Sequence, residues 1–134
     1  MIAIFIAAHL DLGPALLRAA EGIVGPMSHA EAVALGPDFP PELVAERLAR
    51  LECELAEGDG ILVLTDMFGG TPTNQSLPFL RAGRVEVLTG VNLPMVLKAH
   101  TAREEMELGE LASFLRDYGC RNVVLASEIW GGRV

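Results

Sequence analysis

The chain begins with a run of seven apolar residues, 2–8, that contains no polar residue. Such a run lacks the polar alternation of a half-exposed strand and is typical of a parallel strand covered on both faces. His9 follows it directly. Ligands bind beyond the carboxyl ends of the strands in open parallel sheets, so an imidazole at this point is held by a rigid element and still faces solvent. His9 is therefore the first candidate for chemistry.

The pattern of a buried strand followed by a polar residue recurs along the chain. Residues 61–65 form a second predicted strand that ends at Asp66, and residues 85–89 form another. The intervening segments have helical spacing of apolar residues or helix-forming composition. Strands that alternate with helices are typical of an α/β domain with right-handed crossovers. The predicted helices cover residues 15–21, 41–56, 75–80, 95–100 and 104–118, and the remaining predicted strands cover residues 29–35 and 122–127.

We therefore expect a single domain over residues 1–134, with three α/β/α layers around a mainly parallel, doubly wound sheet. A chain of 134 residues buries a sufficient core without disulfides or metals. Cys53 and Cys120 lie far apart in segments patterned for packing, which favours buried free thiols over a disulfide or a metal site. With His29 and His100 they form no recognisable metal-ligand spacing, so we expect no bound metal.

The charge and hydrophobicity of the chain narrow the classes of partner. A net charge of −8 and a pI near 4.8 repel phosphodiester backbones, which argues against nucleic-acid binding. Although 51% of the residues are hydrophobic, no apolar stretch approaches the roughly twenty residues that span a bilayer. The first residues also lack a basic region and a cleavage site typical of a signal peptide. We therefore expect no direct membrane insertion and a cytoplasmic location.

Polar residues follow several predicted strands and should meet at one rim of the sheet. They are His9, the segment from Asp66 to Asn74, and Asn92. A carboxylate that accepts a hydrogen bond from one imidazole nitrogen fixes the tautomer and leaves the other nitrogen free as a nucleophile, and His9 with Asp66 fits that pairing. The Gly69-Gly70-Thr71 turn offers backbone N–H groups and a hydroxyl to an anion. These groups predict a site that holds a phosphoryl group on histidine.

Simpler interpretations of the same residues remain open. His9 is also compatible with a capping role, Asp66 with a turn cap, and Gly69-Gly70 with a tight turn that touches no phosphate. The chain contains no G-x-x-x-x-G-K-[ST] loop, no G-x-G-x-x-G after a strand and no G-x-S-x-G elbow. Their absence argues against nucleotide-binding and α/β-hydrolase functions.

Three ordered motifs resemble the enzyme IIA domain of the mannose/fructose/sorbose family of the bacterial phosphoenolpyruvate-dependent sugar phosphotransferase system. They lie at residues 2–9, 64–74 and 89–95, and the resemblance covers nearly the whole chain. The family usually has a glycine directly after the histidine, where this chain has Leu10.

The resemblance implies a phosphoryl relay. His9 would accept phosphate from the carrier protein HPr and pass it to a IIB protein during sugar uptake. Asp66 would hydrogen-bond Nδ1 and leave Nε2 to carry the phosphate. Gly69, Gly70 and Thr71 would match the loop beside the phosphate, while Leu10 and Phe68 would lie at the partner-docking surface. Phosphohistidine is already activated, so this chemistry needs no metal, nucleotide or other cofactor.

The resemblance also implies a homodimer that exchanges a carboxy-terminal edge strand, for which residues 122–127 are the candidate. Three other functions remain open on the sequence. One is the phosphotransfer subunit of dihydroxyacetone kinase, whose receiver is a kinase-bound nucleotide. Another is a free-standing regulatory module whose phosphorylation reports sugar supply. The third is a small-anion-binding protein without turnover.

Overall fold

The computed structural model describes residues 1–40, 42–55 and 59–131. The strands are β1 (Ala3–His9), β2 (Ala30–Leu35), β3 (Ile61–Thr65) and β4 (Val85–Leu88). The helices are α1 (Leu12–Val24), α2 (Leu43–Glu54), α3 (Thr71–Ser76), α4 (Leu93–Ala102), α5 (Leu108–Arg121) and α6 (Ala126–Ile129), and a 3₁₀ turn (Leu77–Phe79) follows α3.

The four strands form one parallel sheet in the order β2-β1-β3-β4. The two central strands are covered on both faces: every residue of β3 is buried, and so is every residue of β1 except His9. This confirms the α/β fold predicted from the apolar runs. β1 and β3 are neighbours in register, with Ala7 opposite Thr65, so the residues that follow them emerge at the same edge.

The core lies in two layers, one on each face of the sheet. Alternate residues of the central strands point to opposite faces because the side-chain period of a strand is two. Ile4 and Ile6 pack with residues of α1, α4 and α5, whereas Phe5 packs with residues of α2. Each fully buried side chain of this size contributes roughly 1.5–3 kcal/mol. The helices therefore hold β1 from both sides and fix the position of His9 at its end.

A buried arginine binds the backbone at the amino-terminal ends of the strands, opposite His9. Arg103 is 4% exposed, and its Nη1 donates to the carbonyl oxygens of Ile2 and His29, each at 3.0 Å. Its Nη2 donates to the carbonyl of Ser28 at 2.6 Å. Burial lowers the pKa of this guanidinium. These bonds join the chain just before β1 to the chain just before β2, so the two strands keep their register.

The structure corrects the sequence predictions for one strand, for the two cysteines and for the starts of two helices. Residues 122–125 have no regular structure and α6 follows them, so the predicted strand over 122–127 is wrong for the single chain. An apolar run becomes a strand only where a neighbouring strand supplies hydrogen bonds, and this one extends into solvent. Cys53 and Cys120 are free but exposed, not buried, because each lies on the outer face of its helix. α1 begins at Leu12, earlier than predicted, and α3 begins at Thr71.

The predicted helix over residues 41–56 corresponds to α2, and Pro41 and Ala56 lie outside the described residues. Within the described residues, no helix has the length and apolar character needed to cross a bilayer.

Candidate active site

The site is built where β1 and β3 end side by side. His9 is the last residue of β1, and Asp66 directly follows β3. The Nδ1 atom of His9 lies 2.7 Å from Oδ2 of Asp66. The backbone N–H of His9 donates to the same oxygen at 3.0 Å. The structure therefore brings together the imidazole and carboxylate predicted from the sequence, and the carboxylate holds both the backbone and the ring of His9.

The two partners differ in exposure. The Asp66 side chain is 14% exposed, whereas that of His9 is 46% exposed. Burial acts to raise the pKa of Asp66, but the hydrogen bonds from the backbone and ring of His9, together with the charge of that ring, hold the pKa below its ordinary value of 3.8. Asp66 is thus an ionised acceptor at neutral pH, so Nδ1 carries a proton. In the neutral ring the lone pair lies on Nε2.

The loop after Asp66 approaches the imidazole on the side of Cε1 and Nε2. Gly69 has φ +91°, a left-handed conformation that favours glycine. Gly70 caps α3 and lies against the imidazole: a Cβ atom at this position would be 2.7 Å from Cε1 of His9 and 3.2 Å from Nε2. Thr71, the first residue of α3, is exposed. Gly69, Gly70 and Thr71 are predicted to lie beside the phosphate. They belong to the loop that contacts the His9 ring through Gly70.

Exposed apolar side chains lie next to the site. Leu10 is 61% exposed and Phe68 is 74% exposed. Leu10 has φ +50°, although a leucine rarely adopts this conformation, and its backbone pairs with Leu35. A cleft of about 370 Å³ opens beside His9 and is lined mainly by apolar residues, among them Phe39 and Pro72. The imidazole is therefore accessible to a large partner that presents apolar surface.

Comparison with known proteins identifies the family. A model of the EIIA-man family, described as the PTS system fructose IIA component, matches residues 3–115. The chain belongs to this family. The fructose-specific EIIA component of Bacillus subtilis is 29% identical over 129 residues, which cover 96% of this chain and 88% of that protein.

Two solved structures extend the likeness to the fold. The EIIA component from Streptococcus agalactiae superposes with a TM-score of 0.86 at 27% identity, over 96% of this chain and 99% of that one. The mannose/sorbose-specific IIA subunit from Enterococcus faecalis superposes with a TM-score of 0.81 at 26% identity, over 92% and 93% of the two chains. This EIIA-man protein is thus a IIA component of a sugar phosphotransferase system, and its class of activity is phosphotransferase.

Asn92 lies at the same edge of the EIIA-man sheet but is engaged elsewhere. Its Oδ1 accepts from the backbone N–H of Met95 at 3.0 Å and caps α4. Its Nδ2 donates to the carbonyl of Gly119 at 3.1 Å. Within the described residues, no hydrogen bond joins Asn92 to His9 or Asp66. Asn92 thus lies after β4 as predicted, and its side chain joins α4 to α5 there.

Sequence reasoning missed two residues of the EIIA-man site. Thr65 and Thr73 are both fully buried, and their hydroxyl oxygens are 2.7 Å apart directly beneath the loop that carries Asp66. A signal was present, since Thr65 is the single polar residue in an otherwise apolar buried strand. A buried hydroxyl requires a hydrogen-bond partner. The sequence alone does not show that this partner is Thr73.

Proposed function

We propose that His9 accepts a phosphoryl group from the phosphohistidine of HPr and passes it to a IIB protein during sugar uptake. The observation that carries this proposal is the 2.7 Å contact between Nδ1 of His9 and Asp66, which engages Nδ1 and makes Nε2 the nitrogen that bears the lone pair when the half-exposed ring is neutral. A nucleophile oriented by a carboxylate and open to a docking protein is the arrangement that such a relay requires.

In the proposed step, the Nε2 lone pair attacks the phosphorus atom of the donor. The new P–N bond forms as the donor's P–N bond breaks, and the electron pair of that bond returns to the donor imidazole. Positive charge develops on the ring of His9, and the ionised Asp66 stabilises it through the Nδ1–H hydrogen bond. Transfer to a IIB histidine is the same step in reverse. The phosphohistidine donor supplies the activated group, so protein side chains suffice for the chemistry.

The loop beside Nε2 is the proposed seat of the phosphoryl oxygens. Gly70 has no side chain that would occupy the space next to Nε2. The first N–H groups of a helix have no partner within the helix, so those of the Gly70-Thr71 turn suit an anion. We assign Gly69, Gly70 and the exposed hydroxyl of Thr71 to this role. It disperses the charge of the equatorial oxygens during transfer.

The surface beside His9 is the proposed docking site for both proteins. Leu10 and Phe68 supply exposed apolar contacts next to the ring. The net charge of −8 favours partners that present a basic patch, because opposite charges accelerate encounter. Both partners would meet the same surface in turn, as the single nucleophile requires. The proposed relay takes place in the cytoplasm.

The carboxy-terminal segment is the proposed dimer contact. Val123, Leu125 and Trp130 are each more than half exposed in the single chain. β4 pairs with β3 and is an edge strand of the described sheet. Val85, its first residue, forms a bridge with Arg81, so a strand from a second copy would pair with the rest of the outer side of β4. Exchange of residues 122–127 would cover apolar side chains and an open strand edge at once.

Labelling from phosphoenolpyruvate tests the relay. The protein is incubated with enzyme I, HPr and labelled phosphoenolpyruvate, and the acid-labile phosphate is mapped. We expect label on His9, none in His9→Ala, and normal labelling in the control His29→Ala, whose exposed imidazole lies away from the site. Normal labelling of His9→Ala would refute the proposal. A chase with IIB should discharge the label, whereas discharge only by a nucleotide-bound dihydroxyacetone kinase would identify a different receiver.

A further inference from the structure

Two buried threonines lie beneath the active-site loop and have no role in the relay described above. Thr65 ends β3 and Thr73 lies in α3, and both are completely buried. Their hydroxyl oxygens are 2.7 Å apart. Oγ1 of Thr73 also lies 2.6 Å from the carbonyl oxygen of Met67. The pair therefore connects the end of the strand, the loop and the helix that follows.

The directions of these hydrogen bonds follow from the chemistry of the groups. A carbonyl oxygen only accepts and a hydroxyl carries one proton, so Thr73 donates to Met67. That proton is then committed, so Thr65 donates to Thr73. The hydroxyl of Thr73 is therefore both acceptor and donor. It binds the side chain of Thr65, the residue before Asp66, and the backbone carbonyl of Met67, the residue after Asp66.

We propose that Thr73 is a positioning residue that acts through Asp66 to set the tautomer and orientation of His9. This inference rests on the phosphoryl relay proposed above. Asp66 makes both of its contacts to His9 through Oδ2, so a small rotation of the loop would break both. Thr73 holds the loop on both sides of Asp66, and water does not reach this hydroxyl to replace it.

The helix that contains Thr73 also positions Gly70 on the Nε2 side of the His9 ring. Gly70 is the N-cap of α3, and it lies against the ring of His9. The bond from Thr73 to Met67 therefore fixes α3 relative to the loop, and with it the distance from Gly70 to Nε2. Removal of this hydroxyl would release the carboxylate and the glycine together.

A third buried hydroxyl provides a matched control. Ser76 is also completely buried in α3, and its Oγ donates to the carbonyl of Pro72 at 2.7 Å. It makes no hydrogen bond to residues 65–67 among the described contacts. Loss of this hydroxyl should destabilise the same helix without releasing the loop around Asp66. Ser76→Ala thus separates a general packing effect from a positioning effect.

The test compares Thr73→Val, Thr73→Ser, Thr65→Val and Ser76→Ala by two readouts. The first is the pair of ¹⁵N chemical shifts of the His9 ring in the unphosphorylated protein, which report the tautomer without any donor. We expect one Nδ1–H tautomer in the original protein and in Ser76→Ala, and a mixture in Thr73→Val. Thr73→Ser keeps the hydroxyl and should restore the single tautomer. Thr65→Val should give a smaller change, because the bond from Thr73 to Met67 remains.

The second readout separates kcat from KM for phospho-HPr. Thr73→Val should lower kcat by about 10- to 100-fold, the scale on which misplacement of a reacting group acts, while KM stays within about twofold. Thr73→Ser and Ser76→Ala should keep kcat near that of the original protein. An unchanged ring tautomer in Thr73→Val, or an equal loss of kcat in Ser76→Ala, would overturn the proposal.

The two readouts also separate this inference from the relay itself. If the original protein takes no phosphate from HPr, the relay fails, and the ring shifts still decide whether Thr73 controls the tautomer of His9. If Thr73→Val does not fold, Thr65→Val decides: an unchanged tautomer in that variant then counts against the proposal.

Discussion

Oδ2 of Asp66 accepts two hydrogen bonds from His9, one from the backbone N–H at 3.0 Å and one from Nδ1 at 2.7 Å. The backbone bond ties the carboxylate to the end of β1, and the ring bond then orients the imidazole relative to the same point. The carboxylate thus acts as a rigid link between the two central strands and the side chain that projects beyond them. Chemistry at Nε2 depends on this link because it decides which nitrogen keeps the proton.

Asp66→Asn should slow phosphoryl transfer by roughly 10²- to 10⁴-fold, since a comparable change to a histidine-orienting carboxylate in a serine protease lies at the upper end of that range. The amide can present its NH₂ group to Nδ1, which favours the tautomer protonated on Nε2 and removes the nucleophilic lone pair. Initial rates with phospho-HPr measure the effect. Asp117→Asn, at an exposed carboxylate, should transfer at the normal rate. Unchanged transfer rates in Asp66→Asn would show that Asp66 only caps the turn after β3.

The contribution of Asp66 to stability should depend on pH in a defined direction. Its pKa in the folded protein lies below the ordinary value of 3.8. The stabilisation is therefore complete above that value and is lost as the pH falls through the lower, folded-state pKa. Urea unfolding of the original protein and of Asp66→Asn, from about pH 6 to about pH 2.5, should show a constant difference that shrinks only at the acid end. A difference that declines already near neutral pH would contradict the lowered pKa.

Gly70→Ala should impair transfer while the fold is retained. The added methyl group would lie 2.7 Å from Cε1 of His9, so the ring or the loop must move. We expect a loss of about 100-fold in kcat, as for other small displacements of a reacting group. Gly22→Ala is the control, because a Cβ atom there meets nothing within 4 Å, and it should be neutral or slightly stabilising. Full activity in Gly70→Ala would show that the ring tolerates a side chain at this position.

Leu10→Gly and Leu10→Ala should separate backbone strain from partner contact. Leu10 has φ +50°, a conformation that costs a residue with a Cβ atom about 1–2 kcal/mol. Glycine relieves this strain but raises the conformational entropy of the unfolded chain. We therefore expect a net gain of roughly 0–1 kcal/mol in the free energy of unfolding. Alanine keeps the strain. Both variants lose the exposed isobutyl group, so both should raise KM for phospho-HPr; a normal KM in both would remove Leu10 from the docking surface.

A charge in the carboxy-terminal segment should disrupt the proposed dimer. Val123 and Leu125 are exposed in the single chain, so Val123→Asp and Leu125→Asp should leave the fold of one copy intact. Each buried apolar side chain contributes roughly 1.5–3 kcal/mol, so we expect the dimer Kd to rise by about 10- to 100-fold per substitution. Sedimentation equilibrium measures it, with Ile23→Asp on α1 as the exposed control. Dimers that persist in both variants would place the interface elsewhere.

Much of the fold was predictable because the two central strands carry an unambiguous signal. β1 and β3 are apolar on both faces and end at polar residues, and parallel strands necessarily bring those residues to one edge. The same signal, an apolar run, gave a wrong prediction over 122–127. The composition of this segment resembles that of a buried strand, but pairing is a property of two segments, and none of the strands that the structure describes pairs with it.

The sequence by itself determined the α/β architecture, the placement of His9 and Asp66 at one edge, and the family, since all three depend on the order and spacing of residues along the chain. Only the tertiary structure decided that Thr73 holds the loop on both sides of Asp66, that Gly70 lies against the ring, and that Asn92 joins two helices instead of entering the site. These contacts join side chains from different elements, so their geometry depends on how strands and helices pack in three dimensions. Local patterns carry no information about such distances.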